Sequence, residues 1–283
     1  MSNFIYLVVI ITAVAGQKII QKPFTKKTGG KGVLFFTTFS CLAATLFFII
    51  TSKGFSFDKA FLPYSVAFAF FYALATVFTV VAVSSGPLSL TALFISYSLV
   101  LPTLYGVVFL KDNIDVFLIL GIILWVSSLY LINKKIKGGR VSLKWIISVL
   151  LAFIGNGFCS IVQKGQQIKF GGEFKNEFMV IALIIATLAV FITGVIKERN
   201  GAAVYVKFGI VPAIICGVLN GVMNLFVMIL SGEMPVSVMF PIISAGSMIL
   251  SYLASTFVFK EKLTKTQIVG FFVGVLAVAL LNV

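Results

Sequence analysis

The sequence predicts an all-α polytopic membrane protein: ten transmembrane helices arranged as an inverted repeat of five plus five. Three observations lead there. Of the 283 residues, 60% are hydrophobic and only 11% charged. The charges fall between long apolar runs, and the two halves repeat short patterns in the same order. A soluble domain is closer to half apolar and a quarter charged. This composition therefore excludes a cytosolic enzyme, a secreted disulfide scaffold and a disordered chain. A bilayer-crossing helix takes about 20 apolar residues, so about ten spans and their loops use up the chain.

The spans read off the apolar runs are 3–20, 33–51, 62–83, 88–110, 116–132, 143–162, 178–196, 208–230, 236–259 and 266–281. Each is bounded by charge or by Gly and Pro. Backbone groups in lipid must be satisfied internally, and these runs are too long for barrel strands, so helices are expected. The first run contains Ala13-Val14-Ala15, which imitates a signal-peptidase site. No basic residue precedes it and the apolar run continues to Ile20, so a retained first span is expected.

The repeat is read from matched positions. Ile19-Ile20-Gln21-Lys22 ends span 1, and Ile161-Val162-Gln163-Lys164 ends span 6. Lys59 and Pro63 open span 3, and Lys207 and Pro212 open span 8. Ser85-Gly86-Pro87 closes span 3, while Ser231-Gly232 with Pro235 closes span 8. Asp112 precedes Gly121 and Asn133 by the same intervals at which Glu261 precedes Gly270 and Asn282. The halves are 1–137 and 138–283. Five spans is an odd number, so the second copy enters the membrane from the opposite side. That is the architecture of many secondary transporters, with substrate held near the midplane where the halves meet.

The end of the second half reads Phe259-Lys260-Glu261-Lys262-Leu263-Thr264, then Gln267, Gly270 and Gly274, closing with Leu280-Leu281-Asn282. This resembles the G-E-x-L turn and Gly-containing last helix of the drug/metabolite transporter superfamily, in particular its ten-span EamA-like members. The family glycine is Lys260 here, and the first copy, Lys111-Asp112-Asn113-Ile114, is degenerate. The resemblance implies metabolite or drug transport through a central cavity lined by spans 1–4 and 6–9, with spans 5 and 10 outside it. It says little about substrate.

Charge gives an orientation. Of the 22 basic residues, 15 lie in the loops after the odd-numbered spans, among them Lys22, Lys27, Lys31, Lys197 and Lys207. Six lie on the other side and Lys18 within a span. The positive-inside rule then places both termini outside, whereas ten-span relatives are described with both termini in the cytoplasm. The expected setting is the plasma (inner) membrane of a prokaryote, multi-pass. The net charge of +14 is spread over short loops and forms no nucleic-acid-binding domain.

Intramembrane polar groups cost free energy and often line pathways. Lys18 either snorkels to the interface or contacts substrate, and Gln17 points elsewhere on the same helix. Asn220 and Asn224 share one face of span 8, and Asn156, Ser160 and Gln163 form a similar line on span 6. These amides either bind substrate or bond between helices. Ser244, Ser247, Ser251 and Ser255 stripe span 9, where small residues favour close packing. Tyr72, Tyr97 and Tyr105 offer ring faces for a ligand or cation, or simple packing. Pro102 and Pro241 lie inside spans 4 and 9 and are hinge candidates. Gly217-x3-Gly221 and Gly270-x3-Gly274 fit close helix contact, the latter either within the chain or as a dimer face, so a monomer or homodimer is expected.

Histidine is absent, the three cysteines sit in apolar runs, and the eight acidic residues all lie in loops or at span ends. That removes metal-site, triad and membrane-enzyme chemistry, so no cofactor, metal or catalytic residue is expected. The membrane glutamate of the small multidrug branch is missing from the first span. The expected function is a secondary transporter for a small organic metabolite that is amino acid-like, zwitterionic, neutral or anionic. A multidrug or organic-cation efflux carrier with an aromatic cavity is the alternative. A channel would show a filter motif or charged ring, and a non-transporting scaffold is the remaining class.

Overall fold

The computed structural model describes residues 2–29, 31–52, 54–85, 95, 97–133, 142–199, 201–258 and 265–280. Among these there is no strand. In chain order the helices are α1 (Ser2–Thr28), α2 (Val33–Thr51), α3 (Leu62–Ser85), α4 (Val100–Phe109), α5 (Val116–Asn133), α6 (Leu143–Phe170), α7 (Lys175–Lys197), α8 (Gly201–Phe208), α9 (Ile210–Glu233), α10 (Val236–Phe257) and α11 (Lys265–Leu280). Single 3₁₀ turns, Lys59–Phe61 and Tyr97–Leu99, lead into α3 and α4. The described residues are all-helical, with six helices among them long and apolar enough to cross a membrane. Four shorter apolar helices, Tyr97–Phe109, Val116–Ser128, Val236–Ser247 and Ile268–Ala277, fall within the remaining four runs.

The polarity of the molecule is that of a body in lipid. Large apolar side chains face outward: Ile50 is 80% exposed and Phe257 77%. Ser65, Gln163, Gln166 and Asn224 are buried. Water rewards the opposite distribution, because exposed apolar area costs free energy there.

Several helix ends differ from the apolar runs. Helix α1 continues from the expected end at residue 20 to Thr28, with Pro23 inside it. Helix α6 continues from 162 to Phe170, where Gly171 takes a left-handed φ of 58°. In α6 the extra turns carry Gln163, Lys164, Gln166 and Gln167, all buried. Their polar groups find partners in other parts of the fold, so the helix survives beyond its apolar stretch. The eighth run, expected at 208–230, is two helices: α8 ends at Phe208, and α9 begins after Gly209. A Cβ at Gly209 would stand 2.5 Å from the Tyr205 ring and 3.0 Å from that of Phe24, so only glycine fits this corner. Pro102, expected mid-span, is the third residue of α4 just after the 3₁₀ turn, where a missing N–H costs less. Pro241 does lie inside α10. Residues 86–94, 134–141 and 259–264 lie outside the described residues.

Packing joins the halves. Helix α1 packs on α9 and α10, α2 on α7 and α9, α3 on α6 and α7, α4 on α6 and α10, and α5 on α11. One apolar core gathers Leu7 and Ile10 of α1, Val227 and Leu230 of α9, and Met239 and Phe240 of α10. A second gathers Phe48 of α2, Phe68 of α3, Cys159 of α6, Phe178 and Leu183 of α7, and Met228 of α9. Glycines permit the closest crossings. Gly217 lies against Ser40 O and Ala43 of α2, and a Cβ at Gly221 would meet Phe47 at 2.5 Å. Gly155 of α6 faces the backbone of α3, where a Cβ would meet Ala75 N and Phe71 O at 2.7 Å. Gly270 and Gly274 are buried within the chain, and Ser128 of α5 donates to Gly270 O at 2.6 Å. Of the two readings of this pair, packing within the chain is the one seen, where α11 meets α5.

Candidate functional site

A chain of amides runs through the junction of α1, α6 and α9. Asn220 Nδ2 donates to Gln17 Oε1 at 3.3 Å. Asn224 Nδ2 donates to Asn220 O at 2.9 Å and to its Oδ1 at 3.0 Å. Gln163 Nε2 donates to Asn224 Oδ1 at 2.8 Å. The i, i+4 spacing places Asn220 and Asn224 on one face of α9, between Gln17 of the first half and Gln163 of the second. Asn224 and Gln163 are buried, whereas Gln17 and Asn220 are half-buried. An unpartnered amide here would lose about 1–3 kcal/mol of desolvation free energy, so these groups hold one another in a defined arrangement.

Lys18 sits one residue from this chain. Lys18 itself is exposed. The helix runs ten residues beyond it to Thr28, while its apolar membrane-crossing stretch covers Asn3–Gln21.

The other expected residues take up separate positions. Tyr72 of α3 is half-buried, accepts from Cys41 Sγ at 3.6 Å and stacks on Phe68 with ring centroids 5.7 Å apart. Asn156 of α6 donates to Ser98 Oγ at 2.6 Å, and Ser98 in turn donates to Ile95 O. This joins α6 to the 3₁₀ turn before α4. Tyr97 packs beside Trp125 and Ala245. Ser160 is buried in α6, Ser244 and Ser247 are buried in α10, and Ser247 Oγ donates to Ser244 O at 3.0 Å. These two serines therefore belong to the packed face of α10, next to Gly246, where a Cβ would meet Ile11 of α1 at 2.5 Å. Tyr105 stacks on Phe109, 5.4 Å away. The side chains of Ser251 and Ser255 lie outside the described residues.

Four of the acidic residues are occupied at helix ends. Asp58 Oδ1 accepts from Ala60 N at 2.8 Å, and Asp115 Oδ1 from Leu118 N at 2.6 Å. Asp112 Oδ2 accepts from Ser237 N at 3.1 Å and Oγ at 2.7 Å, capping α10. Glu198 Oε2 accepts from Leu34 N at 2.9 Å, capping α2. Carboxylates belong at helix N-termini, where free N–H groups and the helix dipole favour negative charge. Burial raises the Glu198 pKa above its ordinary value, and the backbone N–H groups of Leu34 and Val33 partly offset this.

Sequence reasoning missed a second polar cluster, at the end of the bundle where α6 and α9 finish. Lys164 Nζ donates to Ser231 O at 2.5 Å and to Met234 O at 3.4 Å, placing a cation on the C-terminal carbonyls of α9. Gln166 Nε2 donates to Glu173 O at 2.9 Å, and Gln167 donates to Gln166 Oε1. A cavity of about 400 Å³ lies beside them, bordered by Lys164, Gln167, Lys175, Ser231 and Glu233. The signal was present in the sequence: Ser160, Gln163, Lys164 and Gln167 keep helical spacing beyond the apolar run.

A protein of known crystal structure superposes on this fold with a TM-score of 0.79, covering 99% of this chain and 96% of its own, at 12% sequence identity. At that identity the likeness is one of fold. No family model matches the sequence. No curated protein matches it.

Proposed function

We propose that the chain is a secondary transporter of the drug/metabolite type that moves a small organic metabolite by alternating access. The observation that carries this reading is the pattern of helix packing. Let α1 to α5 exchange with α6, α7, α9, α10 and α11 in that order. Then α1–α9 becomes α6–α3, α2–α9 becomes α7–α3 and α1–α10 becomes α6–α4, all observed pairs. The pairs α2–α7, α4–α10 and α5–α11 map onto themselves. Such exchange symmetry supports two five-span units, residues 1–137 and 138–283, inserted in opposite senses. Two inverted units have two equivalent ways of leaning on each other, and these are the outward-open and inward-open states.

Substrate sits beside Lys18 and the amide chain. The ammonium of Lys18 pairs with a carboxylate or phosphate-like group, and the amides of Gln163, Asn220 and Asn224 exchange their mutual bonds for bonds to the ligand. Tyr72, Tyr97 and Asn156 complete the walls, while Ser244 and Ser247 allow α10 to lie close to α1. Pro241 and the 3₁₀ turn before Pro102 are the places where α10 and the fourth span bend. A zwitterionic, neutral or anionic metabolite fits these donors better than an organic cation does, since Lys18 repels a cation and at least four of the eight acids cap helix ends. The protein works as a multi-pass component of a prokaryotic plasma membrane, with both termini outside.

A thermal-shift screen against a metabolite panel identifies ligands, because compounds that bind the folded state raise its melting temperature. Counterflow in proteoliposomes then tests carriage. The expected result is saturable exchange that Lys18→Gln lowers at least ten-fold. Non-saturable flux equal in both proteins would overturn the reading. Cys41, Cys159 and Cys216 are all buried, so Ser2→Cys reports orientation. Labelling of intact cells is expected, and labelling only after permeabilisation reverses the assignment.

A further inference from the structure

A second site lies at the end of the bundle where α1 and α7 finish and α2 and α9 begin. An apolar groove of about 320 Å³ is lined there by Phe35 and Phe39 of α2, Phe191 of α7, Tyr205 of α8, and Ile210 and Ile214 of α9. Phe39, Phe191 and Ile214 are exposed, so the groove faces the surroundings and not the interior. Tyr205 is the one described lining residue with a polar side-chain atom, and that hydroxyl is buried. The Tyr205 side chain is only 3% exposed and its ring stacks on Phe39, centroids 4.9 Å apart, yet the hydroxyl has no hydrogen-bond partner among the described residues. A buried phenol without an acceptor costs free energy. Burial raises its pKa to about 12, so it is a donor at every physiological pH.

Two ammonium groups flank the same short helix. Lys27 Nζ lies 5.8 Å and Lys207 Nζ 5.2 Å from the centroid of the Phe208 ring. Phe208 follows Tyr205 by three residues, so the cations stand one turn from the phenol. Glu198, which follows α7, is engaged with the N-terminus of α2. Apolar groove, unpartnered donor and two cations match the three layers of one amphiphile: acyl chain, ester and phosphate.

We propose that this groove is a binding site for one anionic phospholipid, with an acyl chain along Phe39 and Ile214, an ester oxygen accepting from Tyr205, and the headgroup phosphate between Lys27 and Lys207. The occupant is an anionic lipid and not a neutral one because two cations, Lys27 and Lys207, stand 5.8 and 5.2 Å from the centroid of the one Phe208 ring. The site requires only that the chain is in a membrane; it stands independently of transport.

The test uses the purified full-length chain with phosphatidylglycerol and phosphatidylcholine offered in equal amounts, with bound lipid read by native mass spectrometry. A cation near a membrane surface contributes about five-fold in affinity for anionic lipid, so preference for phosphatidylglycerol of about 25-fold is expected. The K27Q/K207Q pair abolishes that preference, and K59Q/K169Q, which removes two exposed cations elsewhere, keeps it. Tyr205→Phe lowers retention of both lipids two- to five-fold. Equal retention of the two lipids, loss of preference in both double variants alike, or competition by inorganic phosphate beyond that of chloride at equal ionic strength would each overturn the proposal. A phosphatidylglycerol carrying a photoactivatable acyl chain tests the wild-type chain directly: labelling within 201–214 is expected, and labelling confined to other segments refutes the site.

Discussion

The α6–α9 contact and the α5–α11 contact use opposite means to join helices. At α6–α9 the partners are long amides, Gln163 on Asn224, and a lysine on the last carbonyls of α9. At α5–α11 the surfaces are small: Ser128 meets Gly270 O, and Trp125 packs with Ala277. Lipid provides no hydrophobic drive between helices, so association rests on close packing and on polar bonds. Small-residue packing has one solution, set by shape. A chain of amides has several, because each group both donates and accepts. The polar contact is therefore where two arrangements of similar free energy can exist, and the small-residue contact is the fixed frame around it.

That contrast can be broken by experiment, beginning with the small-residue crossing of α9 on α2. Gly217→Leu forces a branched side chain against Ser40 O and Ala43. We expect a loss of folded protein, with destabilisation above about 3 kcal/mol, read as aggregation on detergent size exclusion. Asn224→Leu leaves Gln163 without its 2.8 Å acceptor. It is expected to cost about 1–3 kcal/mol in melting-temperature terms and to abolish counterflow; retained counterflow would place substrate elsewhere. Ser128→Ala removes a single interhelical bond. Its expected cost is about 0.6 kcal/mol, with transport unchanged, and a transport defect would deny α5–α11 its role as frame.

The smallest effect is on pH. The folded-state pKa of Glu198 is raised from its ordinary value of 4.5, so the folded state holds this proton more tightly than the unfolded one. The sign follows: Glu198 favours folding at acid pH, and that contribution is lost as pH rises from 4.5 through the raised value. Melting temperature against pH should fall slightly across this window in the parent and stay flat in Glu198→Gln. A parallel slope in both would assign the effect to another group.

The positions of the apolar helices were legible in the sequence because the requirement is local. Roughly 20 apolar residues without charge have few alternatives to a spanning helix. Asn220 and Asn224 were legible as a shared face for the same reason, since i, i+4 spacing fixes it. The partner of each was not. Gln163 reaches Asn224 across 61 residues, and Gln17 meets Asn220 across 203. Nor could local reading end α6 at Phe170, because Gln163, Lys164 and Gln167 read as a polar exit from the membrane until their buried partners are in place. The corner at Gly209 was hidden likewise: the clash that demands glycine comes partly from Phe24 of α1.

By itself the sequence determined a membrane body with apolar helices in fixed segments, carboxylates confined to their ends, and a lone lysine within the first span. Those are consequences of transfer free energy, which each segment meets on its own. The tertiary structure decided where polar helices continue, which amides satisfy one another and which face of each glycine is occupied. Hydrogen bonds and steric contacts need a second partner, and in this fold that partner lies far along the chain, 61 residues away for Gln163 and 203 for Gln17.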